Sequence, residues 1–305
     1  MVDGLRFAAI DIGSNAVRLL LAVVFEMETG PYFRKISLIR MPIRLGKEVF
    51  TLGNISPEKA RRLVLTLTGF RHLIDAYTPL TFRACATSAM REARNRTQVC
   101  KQILKSSGIA VEVIDGQEEA GIIFSNGHAA VPEGKEAQVY VDVGGGSTEI
   151  TLFTGKSRIS RSFNIGTIRL IEDMVTSSDW AQMKLWIQEQ TRPYKKIAAA
   201  GSGGNIHKLL SLAKSKDGLS ITTDKIKRIR TKLESYTVTQ RITQLGLKPD
   251  RADVILPAIK IYLSVLNWGK IPSIRVPQMG LSDGIIRRLY EQYKANLDDR
   301  SEFEK

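Results

Sequence analysis

Cysteine and histidine are almost missing, acids are outnumbered, and no long apolar run is present. Each shortage removes a class of function. The chain of 305 residues holds two cysteines, Cys85 and Cys100. Two thiols make no disulfide framework and these stand in no metal-ligand spacing, so a reducing, cytoplasmic setting is expected. The three histidines, His72, His128 and His207, are isolated from one another. No pair has ligand spacing, and a structural role is expected for each. The opening stretch MVDGLRFAAIDIG carries Asp3 and only a short apolar run. It reads as neither signal peptide nor membrane span, and no membrane partner is expected. Aromatic content is 7%, without the aromatic motifs of RNA readers, so nucleic acid is not the expected partner. No low-complexity linker interrupts the chain, which places any domain boundary inside ordered structure, near Glu119 to His128.

What is present is positive charge and a sizeable apolar fraction. Lys plus Arg number 45 against 31 Asp plus Glu, a net charge of +14. A field of that sign attracts polyanions without choosing among nucleic acid, anionic membrane and phosphate-rich substrate. Basic residues concentrate at Arg91-Arg94-Arg96 and at Lys225-Lys227-Arg228-Arg230-Lys232, the second run reading as the solvated face of a helix. With 305 residues and 43% hydrophobic content, two domains are expected.

Strand and helix signals alternate along the chain. RFAAIDI and AVRLLLAVVF read as two strands joined by a tight hairpin at the SN turn. ISPEKARRLVLTLTGFRHLIDAY opens with Ser56 as cap and Pro57 at the first helical position, then carries a long apolar face, a helix. TFRACAT and VEVID read as strands on either side of a helix over 97–107. GQEEAGIIF begins a helix with Glu118 and Glu119 in its first turn, where the macrodipole welcomes acids. The second half repeats this grammar: AQVYVDV, TEITLFT and SRISRSFNI as strands, helices over 168–174 and 180–189, then KKIAAAGSGGNIHKLLSLA as strand, glycine turn and helix. Helices are expected over 224–233, 238–245 and 251–268, the last kinked or shortened by Pro257. A strand in SIRVPQ and a terminal helix complete the pattern, an α/β chain.

One unit occurs twice: AIDIGSNAVRLL and VDVGGGSTEI are each an apolar strand ending in Asp, a turn of glycine and small polar residues, and a second strand. Glycine lets a backbone turn sharply and bring its N–H groups against an anion. Ser14, Asn15, Ser147 and Thr148 add neutral donors, and Asp11 and Asp142 stand at strand ends where they can hold a hydrated divalent cation. Two such turns would clamp a phosphate chain from both sides. A third glycine turn, AAAGSGGN, precedes a helix and is a further anion-friendly element.

AIDIGSNAVRLLLA, ATSAMREARN, VEVIDGQEEA, VDVGGGSTEI, FNIGTIRL, AGSGGN, RADVILPAI and MGLSDGII, in that order, closely resemble the exopolyphosphatase and guanosine pentaphosphate phosphohydrolase family. The resemblance runs from Phe7 to about Tyr290. It implies two actin-like domains, of the ribonuclease H-like, sugar-kinase superfold, with a cleft between them. The first would span residues 1–120, with a C-terminal helix at about 284–305 packing back on it, and the second 121–283. The chain would be the short, two-domain form.

Roles follow from the same resemblance. Glu119 matches the carboxylate that orients and deprotonates the attacking water, Glu149 a second acid that places water or cation, and Arg91 an arginine facing the terminal phosphates. Asp142, Asp11 and Glu149 match metal positions, with Mg²⁺ or another divalent cation as cofactor. Gly13, Ser14, Asn15 and Arg18, then Gly144, Gly145, Gly146, Ser147 and Thr148, then Gly201, Gly203 and Gly204 would bind phosphate. Inorganic polyphosphate is the expected substrate, guanosine pentaphosphate the alternative, and a non-catalytic polyphosphate or nucleic-acid binder the second alternative. A homodimer would extend a basic channel along the polymer. Three departures stand out: Asp115 where the family usually has Ser, Leu256-Pro257-Ala258 where it has alanine and glycine, and Asn205 at a threonine position.

Overall fold

The structure, a computed structural model, describes residues 4–125, 131–155, 157–215, 217–277 and 279–303. His128 lies outside the described residues. The chain divides into two compact units, Met1–Asn126 with Met279–Lys305, and Gly127–Gln278.

Unit 1 begins with β1 (Leu5–Ile12), β2 (Val17–Met27) and β3 (Gly30–Met41), followed by α1 (Leu45–Leu52) and α2 (Pro57–Tyr77). Next come β4 (Thr81–Ala86), α3 (Ser88–Glu92), α4 (Arg96–Ser107), β5 (Val111–Val113) and α5 (Gly116–Phe124). The five strands lie in the order β3-β2-β1-β4-β5. The hairpins β1–β2 and β2–β3 are antiparallel, while β4 joins β1, and β5 joins β4, in parallel. Phe7, Ile10, Ile12, Leu19 and Leu20 are fully buried from the central strands. Helix α2 covers them with Leu63, Leu67, Phe70 and Ile74, spaced three and four apart as one helical face requires. Its start is fixed as the sequence implies: the Ser56 side chain accepts from the Lys59 amide, and Pro57 needs no partner for an N–H it lacks.

Unit 2 runs β6 (Ala137–Val143), β7 (Thr148–Thr154), β8 (Arg158–Phe163), α6 (Thr167–Ile171), α7 (Ser177–Thr191), β9 (Ile197–Ser202) and α8 (Gly204–Ala213). It continues through β10 (Ser220–Thr222), α9 (Thr223–Glu234), α10 (Val238–Thr243), α11 (Pro249–Ala252), α12 (Ile255–Trp268) and β11 (Ser273–Arg275). The order is β10-β11-β9-β6-β7-β8. Without the edge strand β10 this repeats the first sheet: two antiparallel hairpins, then two parallel neighbours. Both sheets have the topology of the ribonuclease H-like, actin-type domain. The chain then returns to unit 1 as α13 (Leu281–Phe303). Phe7 meets Tyr290 edge-on, and the Tyr290 hydroxyl bonds Glu26 at 3.0 Å. Gly284 lets α13 and α5 touch, since a Cβ there would stand 1.9 Å from the Ile122 carbonyl oxygen.

Several elements depart from the sequence expectation, among them α3 and β10, which it did not include. β3 has no strong signal because it is an edge strand with most of its positions exposed or half-exposed. α1 starts after Arg44, held at φ 57, and nothing in the local sequence announces that left-handed residue. The helix expected over 251–268 is interrupted, but at Asp253 and Val254: Pro257 sits in the first turn of α12, where an N–H would have no helical partner.

Candidate active site

Both Asp-Gly turns close in the same way. The Gly13 amide donates to the Ala16 carbonyl (3.1 Å), and the Gly144 amide to that of Ser147 (2.9 Å). Both are then held from behind by the helix that follows the third strand. At the start of α1, the amides of Gly46 and Arg44 donate to the carbonyls of Ser14 (2.8 Å) and Asn15 (3.0 Å). At the start of α6, Thr167 donates to the carbonyl of Gly144 (3.0 Å) and Ile168 to that of Gly145 (2.8 Å). The buried Arg169 adds its Nε to the Gly146 carbonyl at 2.8 Å. A trans peptide points its N–H away from its C=O. Tying three successive carbonyls to α6 therefore turns the amides of Gly145, Gly146 and Ser147 to the opposite side. Those amides donate to no group among the described residues. Successive amides facing one way suit an anion.

That contact needs glycine at 166: a Cβ there would stand 2.3 Å from the Gly145 carbonyl oxygen. Thr148, fully buried, donates its hydroxyl to the Ile165 carbonyl (2.5 Å) and so acts as a strut of the turn.

The acids beside the two turns differ in their surroundings. Asp11 pairs across the ladder with Arg18 and forms an ion pair with it. At the matching register of unit 2, Asp142 stands opposite a second acid, Glu149. Glu149 is buried, and its Oε1 accepts from the hydroxyls of Ser147 (2.6 Å) and Ser162 (2.9 Å). An oxygen held by two donors is fixed in direction.

The third glycine turn lies against Asp142. Gly203, at φ 97, would bring a Cβ to 3.1 Å from Asp142 Oδ1. Tyr262 donates its hydroxyl to the Ser202 carbonyl (2.7 Å), and Arg251 Nη1 donates to that of Gly204 (2.7 Å). Burial, with the Asp142 charge second, pushes the Tyr262 phenol well above its ordinary 10.0, so it remains a donor. Gly201 is the parallel neighbour of Val141, one residue from Asp142. The three glycines and the β6–β7 acids thus form one site within unit 2. Asn205 lies in the first turn of α8.

Unit 1 separates the two adjacent acids of GQEEA. Asp115 is the N-cap of α5 and accepts from the Glu118 amide at 2.8 Å, the capping function a serine would perform. Glu118 ion-pairs with Arg83 (2.8 Å) and lies 3.9 Å from Arg288. The carboxylates of Glu112, first, and Glu118 hold the Arg83 guanidinium more firmly protonated than usual. Glu119 is buried instead, with Arg91 Nη1 3.8 Å from its Oε2. Arg91 is steadied by donating to the Ile114 carbonyl at 2.8 Å, and α3, which carries it, is tied to the first turn by the Ser14–Ser88 hydroxyl bond (2.8 Å). Gly166, Arg169, Arg251 and Tyr262 had no role assigned from sequence. FNIGTIRL and RADVILPAI, the motifs containing the first three, were their only signal.

The Ppx/GppA phosphatase family model matches residues 23–292. Exopolyphosphatase 2 of Mycobacterium tuberculosis is 30% identical over 275 residues, 82% of this chain and 86% of that protein. Exopolyphosphatase 1 of Mycobacterium bovis is 22% identical over 305 residues, covering 93% and 88%. Among solved structures, an exopolyphosphatase from Cytophaga hutchinsonii superposes with a TM-score of 0.80 at 26% identity, covering 94% of this chain and 98% of that one. An Aquifex aeolicus Ppx/GppA protein gives 0.74 at 24% identity, covering 95% and 99%, and supports the fold. Among the described residues no helix is long and apolar enough to cross a membrane. With the repeated actin-like sheets, the amide-lined turn and a family match across most of its length, the chain belongs to the Ppx/GppA phosphatase family of phosphoanhydride hydrolases.

Proposed function

We propose that this protein is a cytoplasmic exopolyphosphatase that releases the terminal phosphate of inorganic polyphosphate. What carries the proposal is the turn from Gly144 to Ser147, whose amides are turned away from α6 beside the directly opposed carboxylates of Asp142 and Glu149. Phosphoryl transfer to water asks a protein mainly for positioning and for neutralisation of charge on the transferred group. The amides of Gly145, Gly146 and Ser147 bind phosphate oxygens and hold the terminal group in place. Glu119 orients the attacking water and takes its proton, and the five-donor fork of Arg91 steadies the group being cleaved. Asp142 and Glu149 supply hard oxygen donors that suit Mg²⁺, and like charges opposed on adjacent strands are costly unless a cation offsets them. Bound there, a divalent cation supplies neutralisation of phosphate charge.

The test is inorganic phosphate release in Mg²⁺ from long-chain polyphosphate and from guanosine pentaphosphate in parallel. Release from polyphosphate should fall about 10²–10⁴-fold in Glu119→Gln, the range of a general base. Faster release from the nucleotide would make guanosine pentaphosphate the substrate. Tight polyphosphate binding by wild type without release from either would leave a binding protein.

A further inference from the structure

A basic groove of about 680 Å³ lies in unit 1 along α4. Its walls carry three cations, Arg94, Lys101 and Lys105, and four amides, Asn54, Asn95, Gln98 and Gln102, with no carboxylate and no aromatic ring. Among the described residues none of the three cations is engaged in an ion pair. Some exposed cations elsewhere are matched, as Arg71 is by Asp75 and Arg230 by Glu234.

The groove has a rigid end and a periodic one. Arg94 donates Nη2 to the Leu52 carbonyl (2.7 Å) and lies against Gly53, while the Asn95 amide bonds both the N–H (3.0 Å) and the C=O (2.8 Å) of Ile55. With its side chain so used, Asn95 does not cap α4, whose first turn also contains no acid. Along the helix, Thr97, Lys101 and Lys105 recur every four residues, with Gln98 and Gln102 beside them. Like charges one turn apart repel and mildly destabilise a helix, so this row costs stability unless an anion lies on it. The first residue of α4, Arg96, donates Nη1 to the carbonyl of Arg91 at 2.5 Å.

We propose that this groove binds a distal, non-reacting stretch of the polyphosphate chain, a proposal that rests on the substrate class given above. A row of cations and amide donors matches a flexible polymer of phosphates, whereas single-stranded nucleic acid is held largely by stacking on aromatic rings, which this groove lacks. A second attachment point raises the apparent affinity of long chains only, since a short one cannot reach both sites.

The test measures binding of labelled long-chain polyphosphate, and of triphosphate, to Glu119→Gln protein, in which turnover is suppressed. Lys101→Gln/Lys105→Gln is compared with Lys225→Gln/Lys232→Gln, which removes the same charge from exposed positions on α9. The groove pair should weaken long-chain binding about tenfold at low salt and lower the slope of log affinity against log salt by about two. Triphosphate affinity should be unchanged, and the α9 pair should have less than about a twofold effect. Equal losses from both pairs, no loss from either, or equal losses for triphosphate would overturn the proposal. Groove-dependent binding of single-stranded RNA as tight as that of polyphosphate would assign the surface to nucleic acid instead. Phosphate release by wild type is read separately. Groove-dependent binding without release sinks the hydrolase and keeps the groove, and release with indifferent groove variants does the reverse.

Discussion

Asp142 on β6 stands directly across the ladder from Glu149 on β7, and at the matching register of the first sheet Asp11 on β1 stands across from Arg18 on β2. At one turn the acid thus faces an arginine across the ladder, and at the other it faces a second acid. Glu149→Gln keeps acceptors for Ser147 and Ser162, so the variant should fold, with stability unchanged or raised by about 0.2–1 kcal/mol in the absence of divalent cation. Mg²⁺ should raise the melting temperature of wild type more than that of the variant. Phosphate release should fall at least about a hundredfold. Equal Mg²⁺ shifts in the two proteins would remove Glu149 from the cation site.

The Asp11–Arg18 pair makes the complementary prediction. Arg18→Leu leaves Asp11, only 4% exposed, without its ion-pair partner and should cost about 1–3 kcal/mol. Asp11→Asn should recover part of that loss in the double variant, so a urea-unfolding cycle should give a coupling clearly different from zero.

Gly166→Ala pushes a methyl group into the Gly145 carbonyl and should destabilise by about 1–3 kcal/mol, as overpacking does. Arg169→Lys is milder: it keeps the charge and loses the Nε donor to Gly146. Its kcat/KM should drop about tenfold with little change in melting temperature, because the turn that orients the amides is loosened while the core is untouched.

Asp115→Ser should be close to neutral in both melting temperature and phosphate release, since either side chain can accept from the Glu118 amide. Asp115→Ala should cost about 1 kcal/mol, the value of a lost cap. A large activity change in Asp115→Ser would show instead that the charge itself is used.

Cys85 sits fully buried on β4, and burial pushes its thiol from an ordinary 9.0 up to about 12. The folded state therefore favours the neutral thiol more than the unfolded chain does. That contribution is fully present below pH 9.0 and is lost as pH rises from there towards about 12. Urea midpoints should hold up to about pH 9 and then decline, and Cys85→Ala should make the decline shallower; an identical decline would assign it to other groups such as Tyr262.

Much of the scaffold was legible because its signals are local. The paired Asp-Gly turns, the Ser56-Pro57 helix start and the glycine turn before α8 each announce a backbone conformation in a few letters. The same holds for the split between Glu118 and Glu119 only as far as both acids being at a helix start; which is spent on Arg83 and which is buried depends on β4 and α13, distant in sequence. Arg169 had no role from sequence, because nothing nearby says that its Nε will meet a carbonyl twenty-three residues earlier. β3 and α1 escaped because an edge strand needs no strict alternation and α1 depends on Arg44 adopting a left-handed conformation. The turn's carbonyls are held by a helix that follows two further strands, and that distance hides the device from local pattern.

The return of the chain to unit 1 as α13 carries a consequence for biosynthesis. Unit 2 is contiguous, so a ribosome delivers all of its strands and helices in one stretch. Phe7 on the first strand, by contrast, waits for Tyr290 before its outer side is covered. The first sheet to be made is thus the last to be finished, and in the interval its uncovered face is the part of the nascent chain most in need of a chaperone.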